Sequence, residues 1–340
     1  MPFKPKNVRI HITDGQPPPP PPPSRPKTAE KKGAPPAIAG AGIACLDYIF
    51  ASRRPAWGGM TEVDDFLVQG GGLVGTALVA CARLGARCGL YSYLSNDETG
   101  TRIAAGLARE RIRLDGVVAI PGGTSPFSLI HVDSVTGDRT IFHRPVTGVE
   151  KAVIPDLGGI AGCQALLVDD YYPALALAAA RTARENGVQV IADAAVNPVR
   201  NEDFMRHVSV LIAPVSVAGR LRNSQELEDA LEAFRGLGPE TVVLTLGPEG
   251  WIFSGPTGQG RGSAFAVRVR DTTGAGDAFH GAFAYAVALG WDVERSAEFA
   301  GAVAAIKCTR PGGREGLPSL DQALAFLEKY GRLDWSGCRA

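Results

Sequence analysis

Apolar and polar residues alternate along this chain with periods that predict strands and helices in regular succession. Short apolar runs of strand length are followed by longer segments with apolar residues three or four positions apart. From residue 165 onward, the predicted strands and helices cover 165–169, 174–185, 188–193, 209–212, 224–234 and 241–246. Buried strands that alternate with helices form a parallel sheet with helices on both faces. The pattern therefore predicts a doubly wound α/β fold with a mainly parallel sheet.

Two stretches show the apolar and polar alternation of strands, and neither contains a segment with helical periodicity. They cover about residues 48–69 and 127–143, and the second contains the turn sequence Thr136-Gly137-Asp138. Such a turn between two alternating runs predicts a hairpin. These stretches indicate a small second sheet. Ahead of them, Ile38 to Asp47 is predicted to be one buried strand that ends in a carboxylate.

The two ends of the chain differ from its centre. Pro17 to Pro23 is an uninterrupted proline run. Such a run adopts an extended polyproline helix and cannot join a core, although it can bind an aromatic groove. We predict a disordered proline-rich tail at 1–36, a folded domain at 37–330 and a C-terminal tail at 331–340.

Composition excludes several classes of partner. The chain has 340 residues with 35 basic and 35 acidic side chains, so its formal net charge is zero. This balance argues against binding to nucleic acid or to an anionic membrane surface. No apolar run is long enough to span a bilayer, and the first residues lack a signal-peptide core. The six cysteines are scattered without metal-type spacing, which indicates reduced thiols and a cytoplasmic location.

A glycine-rich junction carries the strongest chemical signal. The segment Asp271-Thr-Thr-Gly-Ala-Gly-Asp277 lies between a predicted strand at 265–270 and a predicted buried helix at 278–289. The first N–H groups of a helix have no intrahelical acceptor, so a phosphate can bind there. Asp277 falls in the first turn. It either caps the helix or acts as a general base that takes a proton from an attacking hydroxyl.

The longer string from Asp271 to Gly281 resembles the C-terminal signature of the ribokinase-like (PfkB) sugar kinases. The resemblance extends over about residues 37–330 and implies that the small sheet forms a lid over the site. It also implies that Asp277 is the catalytic base and that the backbone of Gly274, Ala275 and Gly276 forms the anion hole. No GxxxxGK[ST] motif is present, so the chain is not a P-loop enzyme.

The resemblance also implies a sugar pocket near the N-terminus. In that family, the aspartate that matches Asp47 binds sugar hydroxyls, and the glycine pair that matches Gly71 and Gly72 approaches the sugar. Thr76 stands where the family usually has asparagine. This departure weakens the case for a ribose-type pocket and favours the ketohexokinase-like branch.

On the nucleotide side, the resemblance places Thr245, Gly247 and Gly250 beside ATP. A predicted helix carries three small residues, Gly301, Ala302 and Ala305. They could form a slot for the adenine ring of ATP, or they could allow close packing against another helix. Pro214 and Val217 replace the family's Asn-x-x-Glu motif. Mg²⁺ would then be held mostly by phosphates and water, with Asp193 as the candidate carboxylate.

A monovalent-cation site is also implied. The residues that match it are Asp271 and Thr273, with the backbone of Lys307, Arg310 and Gly312. Gly316 stands where ribokinase has serine. The resemblance therefore leads us to expect K⁺ as a further cofactor.

Taken with its residues, the resemblance implies an ATP-dependent kinase that phosphorylates a hydroxymethyl group of a sugar. A nucleoside kinase of the same fold is an alternative, because these motifs report phosphoryl transfer and not the acceptor. A non-catalytic sugar-binding protein is a second alternative. The lid contains the apolar residues Phe66, Leu67 and Val68. Unless another surface covers them, they would expose an apolar sheet to solvent, so we expect a homodimer through the lid.

Overall fold

A computed structural model describes residues 9–12, 37–55, 58–136, 139–193, 202–218 and 227–336. The strands are β1 (Arg9–Ile12), β2 (Ala37–Ala41), β3 (Cys45–Ser52), β4 (Asp65–Gly71), β5 (Arg87–Ser95), β6 (Arg113–Ile120), β7 (Phe127–Asp133), β8 (Arg139–Arg144), β9 (Ala165–Asp169), β10 (Gln189–Asp193), β11 (Val210–Pro214), β12 (Thr241–Thr245), β13 (Trp251–Gly255) and β14 (Gly258–Gly262). The helices are α1 (Leu73–Arg83), α2 (Glu98–Arg109), α3 (Pro173–Glu185), α4 (Glu202–Met205), α5 (Val215–Ala218), α6 (Leu227–Arg235), α7 (Ala275–Ala288), α8 (Val293–Lys307) and α9 (Leu320–Tyr330). Within these ranges, no helix is both long and apolar enough to cross a membrane.

The larger sheet has the strand order β14-β13-β12-β11-β10-β9-β2-β5-β6. Neighbouring strands from β12 to β6 are parallel, and β13 and β14 add an antiparallel edge. Successive residues of each strand face opposite cores. Ala165 and Leu167 belong to the core under α1, α7 and α8, whereas Leu166 and Val168 belong to the core under α3 and α6. The predicted doubly wound fold is confirmed.

The smaller sheet, here called the lid, has the strand order β1-β4-β3-β7-β8. The hairpin of β7 and β8 is present as predicted, although residues 137 and 138 lie outside the described residues. The register aligns one polar residue from each of four strands: Gln69 pairs with Asp47, Asp47 with Ser128, and Ser128 with His143. Strand pairing therefore assembles a polar row from residues far apart in sequence.

The prediction of a single strand from Ile38 to Asp47 is wrong. The chain leaves the larger sheet after Ala41 and enters the lid at Cys45. Between them, Gly42 N–H donates to the carbonyl of Tyr91 (3.1 Å), and Ile43 N–H donates to Asp169 Oδ2 (2.8 Å). These bonds hold the bend. Asp47 therefore lies within a lid strand and not at the end of a central one.

The predicted strand at 265–270 is also wrong, because this segment is irregular. Phe265 is buried, and its ring meets Phe326 edge to face with centroids 5.3 Å apart, whereas Val269 is 55 % exposed. The neighbouring β14 is the edge strand of the larger sheet. Apolar alternation in the sequence cannot show whether a partner strand is present.

Both predicted tails differ from the structure where residues are described. Arg9–Ile12 pairs in parallel with β4, so the prediction of disorder fails for these four residues. The rest of 1–36 lies outside the described residues. At the other end, Trp335 is 2 % exposed, and its indole N–H donates to Glu298 Oε2 (3.1 Å). The fold therefore continues to Trp335, and residues 337–340 lie outside the described part.

Candidate active site

The N-terminus of α7 is built by a glycine that no other residue replaces without strain. Gly274 has φ 72°, in the left-handed region. A Cβ added there would lie 2.8 Å from Gly313 Cα and from Gly313 O. Ala275 N–H closes the turn by donating to Thr272 O (3.1 Å). The N–H groups of Gly276 and Asp277 follow, and helix geometry gives them no intrahelical acceptor. These N–H groups are available to bind an anion.

Asp277 is half-buried in the first turn of α7. Within the described residues, no hydrogen bond engages its carboxylate, so capping of the helix does not explain it. Burial raises the pKa of Asp277 well above its ordinary value. The charges of Asp193 and Asp47 act in the same direction, and the nearby cations of Arg314 and Arg139 oppose them. An accessible carboxylate with a raised pKa has the properties of a general base.

Asp47 lies in the polar row of the lid and is 7 % exposed. The thiol of Cys45 donates to Asp47 Oδ1 (3.2 Å). Burial raises the pKa of Asp47, while the Cys45 hydrogen bond and the charge of Arg314 oppose that rise. A Cβ at Gly71 would lie 2.0 Å from Asp47 Oδ2. Gly71 is therefore required for the carboxylate to pack against the backbone of β4.

Arg314 joins the predicted sugar-site residues, although no sequence motif pointed to it. Its side chain is buried, Nη2 donates to Gly71 O (2.9 Å), and Nε donates to Thr76 Oγ1 (3.3 Å). A Cβ at Gly70 would lie 2.0 Å from Arg314 Nη1. Gly70 and Gly71 thus make room for the Arg314 guanidinium and the Asp47 carboxylate. The structure brings the predicted residues Asp47, Gly71 and Thr76 together around this cation.

Gly72, the fourth predicted sugar-site residue, is the N-cap of α1 with φ 87°. A Cβ there would lie 2.6 Å from Ile43 O, in the bend between β2 and β3. Gly72 therefore allows a close contact between the start of α1 and the backbone of that bend. Thr76 is also buried within the protein: it is 1 % exposed, and its hydroxyl accepts a hydrogen bond from Arg314.

His280 connects α7 to the carboxyl ends of the central strands. Its Nδ1 lies 2.8 Å from Gly276 O and 3.6 Å from Asp193 Oδ2, and its Nε2 lies 3.3 Å from Ile212 O. The imidazole therefore sets the start of α7 relative to β10 and β11. The sequence placed His280 in the family signature without assigning it this role.

The residues predicted to border the nucleotide, Thr245, Gly247 and Gly250, lie at the end of β12 and in the turn that follows it. Thr245 ends β12, and the following turn closes through a bond from Leu246 N–H to Gly250 O (2.8 Å). A cavity of about 310 Å³ lies beside this turn, lined by Leu246, Glu249, Trp251, Arg261, Gly262, Ser263 and Arg332. Gly247 and Gly250 both have positive φ, at 62° and 104°. The turn therefore requires glycine at both positions.

The three small residues of α8 do not share one open face. A Cβ at Gly301 would lie 2.6 Å from Trp251 Cζ3, and Ala302 is fully buried. Ala305 is half-buried. Gly301 and Ala302 therefore show the close packing that was the alternative to an adenine slot.

No preformed metal centre occurs in the part of the chain that the structure describes, since no three His, Cys, Asp or Glu side chains cluster there. Pro214 ends β11, and Val217 is buried in α5. Because both side chains are apolar, neither can bind a metal ion. Asp193 ends β10 near Asp277 and is buried. A magnesium ion would find one carboxylate here and would need most of its ligands from phosphate and water.

The predicted monovalent-cation loop is assembled, with one difference. Asp271 Oδ1 accepts from Thr273 N–H (2.7 Å), and Oδ2 accepts from Gly312 N–H (2.7 Å). Arg310 N–H donates to Lys307 O (3.2 Å). The Lys307 side chain itself enters the loop, and its Nζ donates to the carbonyl of Asp271 (2.9 Å).

The pattern described as "pfkB family carbohydrate kinase" matches residues 38–320. The chain belongs to this family. It is similar to the ribokinase of Haemophilus influenzae, with 26% identity over 273 residues that cover 78% of this chain and 89% of that protein. It is also similar to an "ATP-dependent ribose-1-phosphate kinase" of Halopiger xanaduensis, with 29% identity over 281 residues, 82% of this chain and 93% of that protein.

Solved structures agree with the observed fold. A protein from Agrobacterium tumefaciens, assigned as a ribokinase, superposes with a TM-score of 0.82 and 29% identity, over 87% of this chain and 98% of that one. The ribokinase of Thermotoga maritima superposes with a TM-score of 0.75 over 86% of this chain and 99% of that one, at 24% identity. The ketohexokinase-like branch stays a prediction.

Proposed function

We propose that this protein transfers a phosphoryl group from ATP to a hydroxymethyl group of a sugar, with a ketohexose or a close relative as acceptor. The observation that carries the proposal is Asp277. This carboxylate has a raised pKa and no hydrogen-bond partner among the described residues, and it lies at a helix N-terminus close to Asp47. A base and an anion site in adjacent residues are what transfer to an alcohol requires.

The proposed mechanism assigns separate tasks to the two sides of Asp277. Asp47 in the lid binds sugar hydroxyls and holds the acceptor. Asp277 takes the proton from the hydroxymethyl oxygen as that oxygen attacks the terminal phosphorus of ATP; the bond from this phosphorus to the bridging oxygen breaks, and ADP leaves. The backbone at Gly274, Ala275 and Gly276 and the dipole of α7 stabilise the developing charge on the phosphoryl group. Arg139 of β8 donates to Thr272 Oγ1 (3.1 Å), which brings a cation to the same end of the site.

Mg²⁺ bound with ATP would neutralise part of the phosphate charge. Asp193 is the carboxylate that would help to hold it, with the remaining ligands from phosphate and water. Thr245, Gly247 and Gly250 would border the nucleotide, and Ala305 is the α8 residue left to contact the base. The names of the two curated relatives, a ribokinase and an ATP-dependent ribose-1-phosphate kinase, support a sugar and ATP as substrates.

A homodimer through the lid and a cytoplasmic location remain part of the proposal. Val68 is 3 % exposed, and Phe66 and Leu67 are half-buried, so the three residues that motivated the dimer are largely covered within one chain. Exposed apolar side chains do occur on β7 and the edge strand β8 of the lid, where Leu129 (41 %) pairs with Phe142 (54 %). These two residues support an interface there.

The test is ADP formation from ATP and Mg²⁺ with a panel of fructose, other ketoses, ribose, adenosine and inosine. We expect turnover with a ketose, and NMR of the product should place the phosphate on a hydroxymethyl oxygen. Preferential turnover of adenosine or inosine would establish the nucleoside-kinase alternative. Sugar binding without ADP formation for any acceptor would establish the non-catalytic alternative.

A further inference from the structure

The cation loop beside the anion hole already contains a fixed positive charge. Lys307 is 0 % exposed, although lysine is almost never fully buried without a partner. Its Nζ donates to the carbonyl oxygen of Asp271 (2.9 Å), one of the residues predicted to ligate K⁺. The ammonium therefore occupies the loop whose oxygens would otherwise bind a monovalent ion.

The remaining oxygens of this loop are largely occupied. Both carboxylate oxygens of Asp271 accept backbone N–H groups, and the carbonyl of Lys307 accepts from Arg310. A Cβ at Gly316 would lie 2.2 Å from Lys307 O, so no side chain fits there to supply a further ligand. A K⁺ ion requires several oxygens that replace its hydration shell. While the Lys307 ammonium holds the carbonyl of Asp271, the residues present do not fit such an ion.

The local charges agree with this geometry. Burial lowers the pKa of Lys307, and the negative charge of Asp271 opposes that shift. Burial would raise the pKa of Asp271, but hydrogen bonds from Thr273, the charge of Lys307 and the Gly312 N–H together lower it. The carboxylate and the ammonium thus stabilise each other's charged forms.

We propose that the Lys307 ammonium replaces the monovalent cation and makes the enzyme independent of K⁺. Lys307 is a positioning residue: it orders Asp271, which fixes Thr273 and Gly312 through the two carboxylate hydrogen bonds. Gly313, next to Gly312, packs directly against Gly274. The charge thereby shapes the start of α7 and the anion hole. This inference rests on the proposed function and deepens it.

The first measurement uses the wild-type protein. Its turnover should be the same in K⁺, Na⁺ and tetramethylammonium chloride at matched ionic strength and Mg²⁺. Stimulation of about tenfold or more by K⁺ over tetramethylammonium would overturn the proposal. This result needs no variant, so it holds even if every change at Lys307 prevents folding.

The second measurement uses Lys307→Ala, which removes the ammonium and frees the carbonyl of Asp271. In tetramethylammonium, kcat should fall by about tenfold or more, and K⁺ or NH₄⁺ should restore most of it. The exposed Lys329→Ala is the matched control and should respond to no cation. A loss in Lys307→Ala that no small cation restores would show only a packing role and would overturn the proposal.

A third readout does not depend on catalysis. The Tm of Lys307→Ala should rise with K⁺ more than that of the wild type, because an ion that binds only the native state stabilises it. If no acceptor is ever phosphorylated, this differential shift still tests the replacement of the cation by Lys307. Equal shifts in both proteins would contradict it.

Discussion

The two sides of the site around Asp277 are built in different ways. In the proposed mechanism, the phosphate side is one continuous segment, residues 271–277, whose backbone N–H groups would bind the phosphate. The acceptor side is the polar row of Gln69, Asp47, Ser128 and His143, which takes one side chain from each of four lid strands. A backbone site depends on glycines within a few residues of one another. A side-chain row depends on the pairing of strands whose residues lie as far apart in sequence as Asp47 and His143.

The two sides also differ in charge, and Arg314 connects them. Asp47 and Asp193 raise the pKa of Asp277, whereas Arg314 lowers the pKa of both Asp277 and Asp47. The loop that carries Arg314 also supplies Gly312 to the Asp271 carboxylate. One loop therefore supports the backbone geometry of the phosphate side through Gly312 and influences the pKa of Asp47 on the acceptor side through Arg314. The comparison predicts that changes on the phosphate side reduce kcat, whereas changes in the row raise KM for the sugar.

The largest expected effect is that of Asp277→Asn. General-base catalysis contributes about 10²–10⁴-fold, so kcat should fall by that factor while sugar and ATP affinities persist. Asp292→Asn is the matched control, because Asp292 caps α8 by accepting from Arg295 N–H (2.8 Å), and asparagine caps nearly as well. Steady-state kinetics and ligand titration on both variants check this. A kcat of Asp277→Asn within a few-fold of wild type would remove the base.

A smaller effect on both sides is expected from Arg314→Gln. Loss of hydrogen bonds from a charged group should raise KM for the sugar by about 10- to 100-fold. Loss of the cation also raises the pKa of Asp277 further. Because the base must be ionised, the acid limb of the pH profile of kcat/KM should move to higher pH. The exposed neighbour Glu315→Gln should change neither quantity, and an unmoved limb in Arg314→Gln would break the link between the two sides.

The smallest effect is expected at the end of the row. His143 Nε2 is buried without a hydrogen-bond partner among the described residues, while Nδ1 lies 3.3 Å from Ser128 Oγ. Burial lowers the pKa of His143, so the ring is neutral and can pair with a sugar hydroxyl. His143→Ala should raise KM for the sugar by about 3- to 10-fold and leave KM for ATP unchanged. Thr140→Ala, exposed on the same strand, is the control. An equal rise in both KM values would assign His143 a structural role.

The phosphate side could be predicted from sequence because its chemistry is local. Gly274, Ala275, Gly276 and Asp277 are consecutive, and a helix N-terminus presents their N–H groups whatever the distant packing. The same locality holds in α8 and α9, where apolar residues and capping residues lie within one segment. Alternating strands and helices likewise predicted the parallel sheet, since each strand carries its own apolar run.

The acceptor side was predicted only in part. Asp47, Gly71 and Thr76 were identified by resemblance, but Asp47 was placed at the end of a central strand. The Gly42–Ile43 bend depends on Asp169, which lies 126 positions beyond Ile43 and accepts its N–H. Periodicity contains no information about such a partner. Ser128 and His143 were missed because a polar residue in an alternating strand looks the same whether it faces solvent or a ligand.

By itself, then, the sequence determined the parallel α/β fold and the consecutive glycines and carboxylate in which we propose the anion site and the base. The tertiary structure alone decided which charges surround that base. Arg314 reaches Gly71 and Thr76 from more than 230 positions away, and Lys307 places its ammonium 2.9 Å from the carbonyl of Asp271, 36 residues earlier. The physical reason is that a hydrogen-bonded backbone geometry is set by neighbours in the chain. The field at a buried carboxylate is set by neighbours in space.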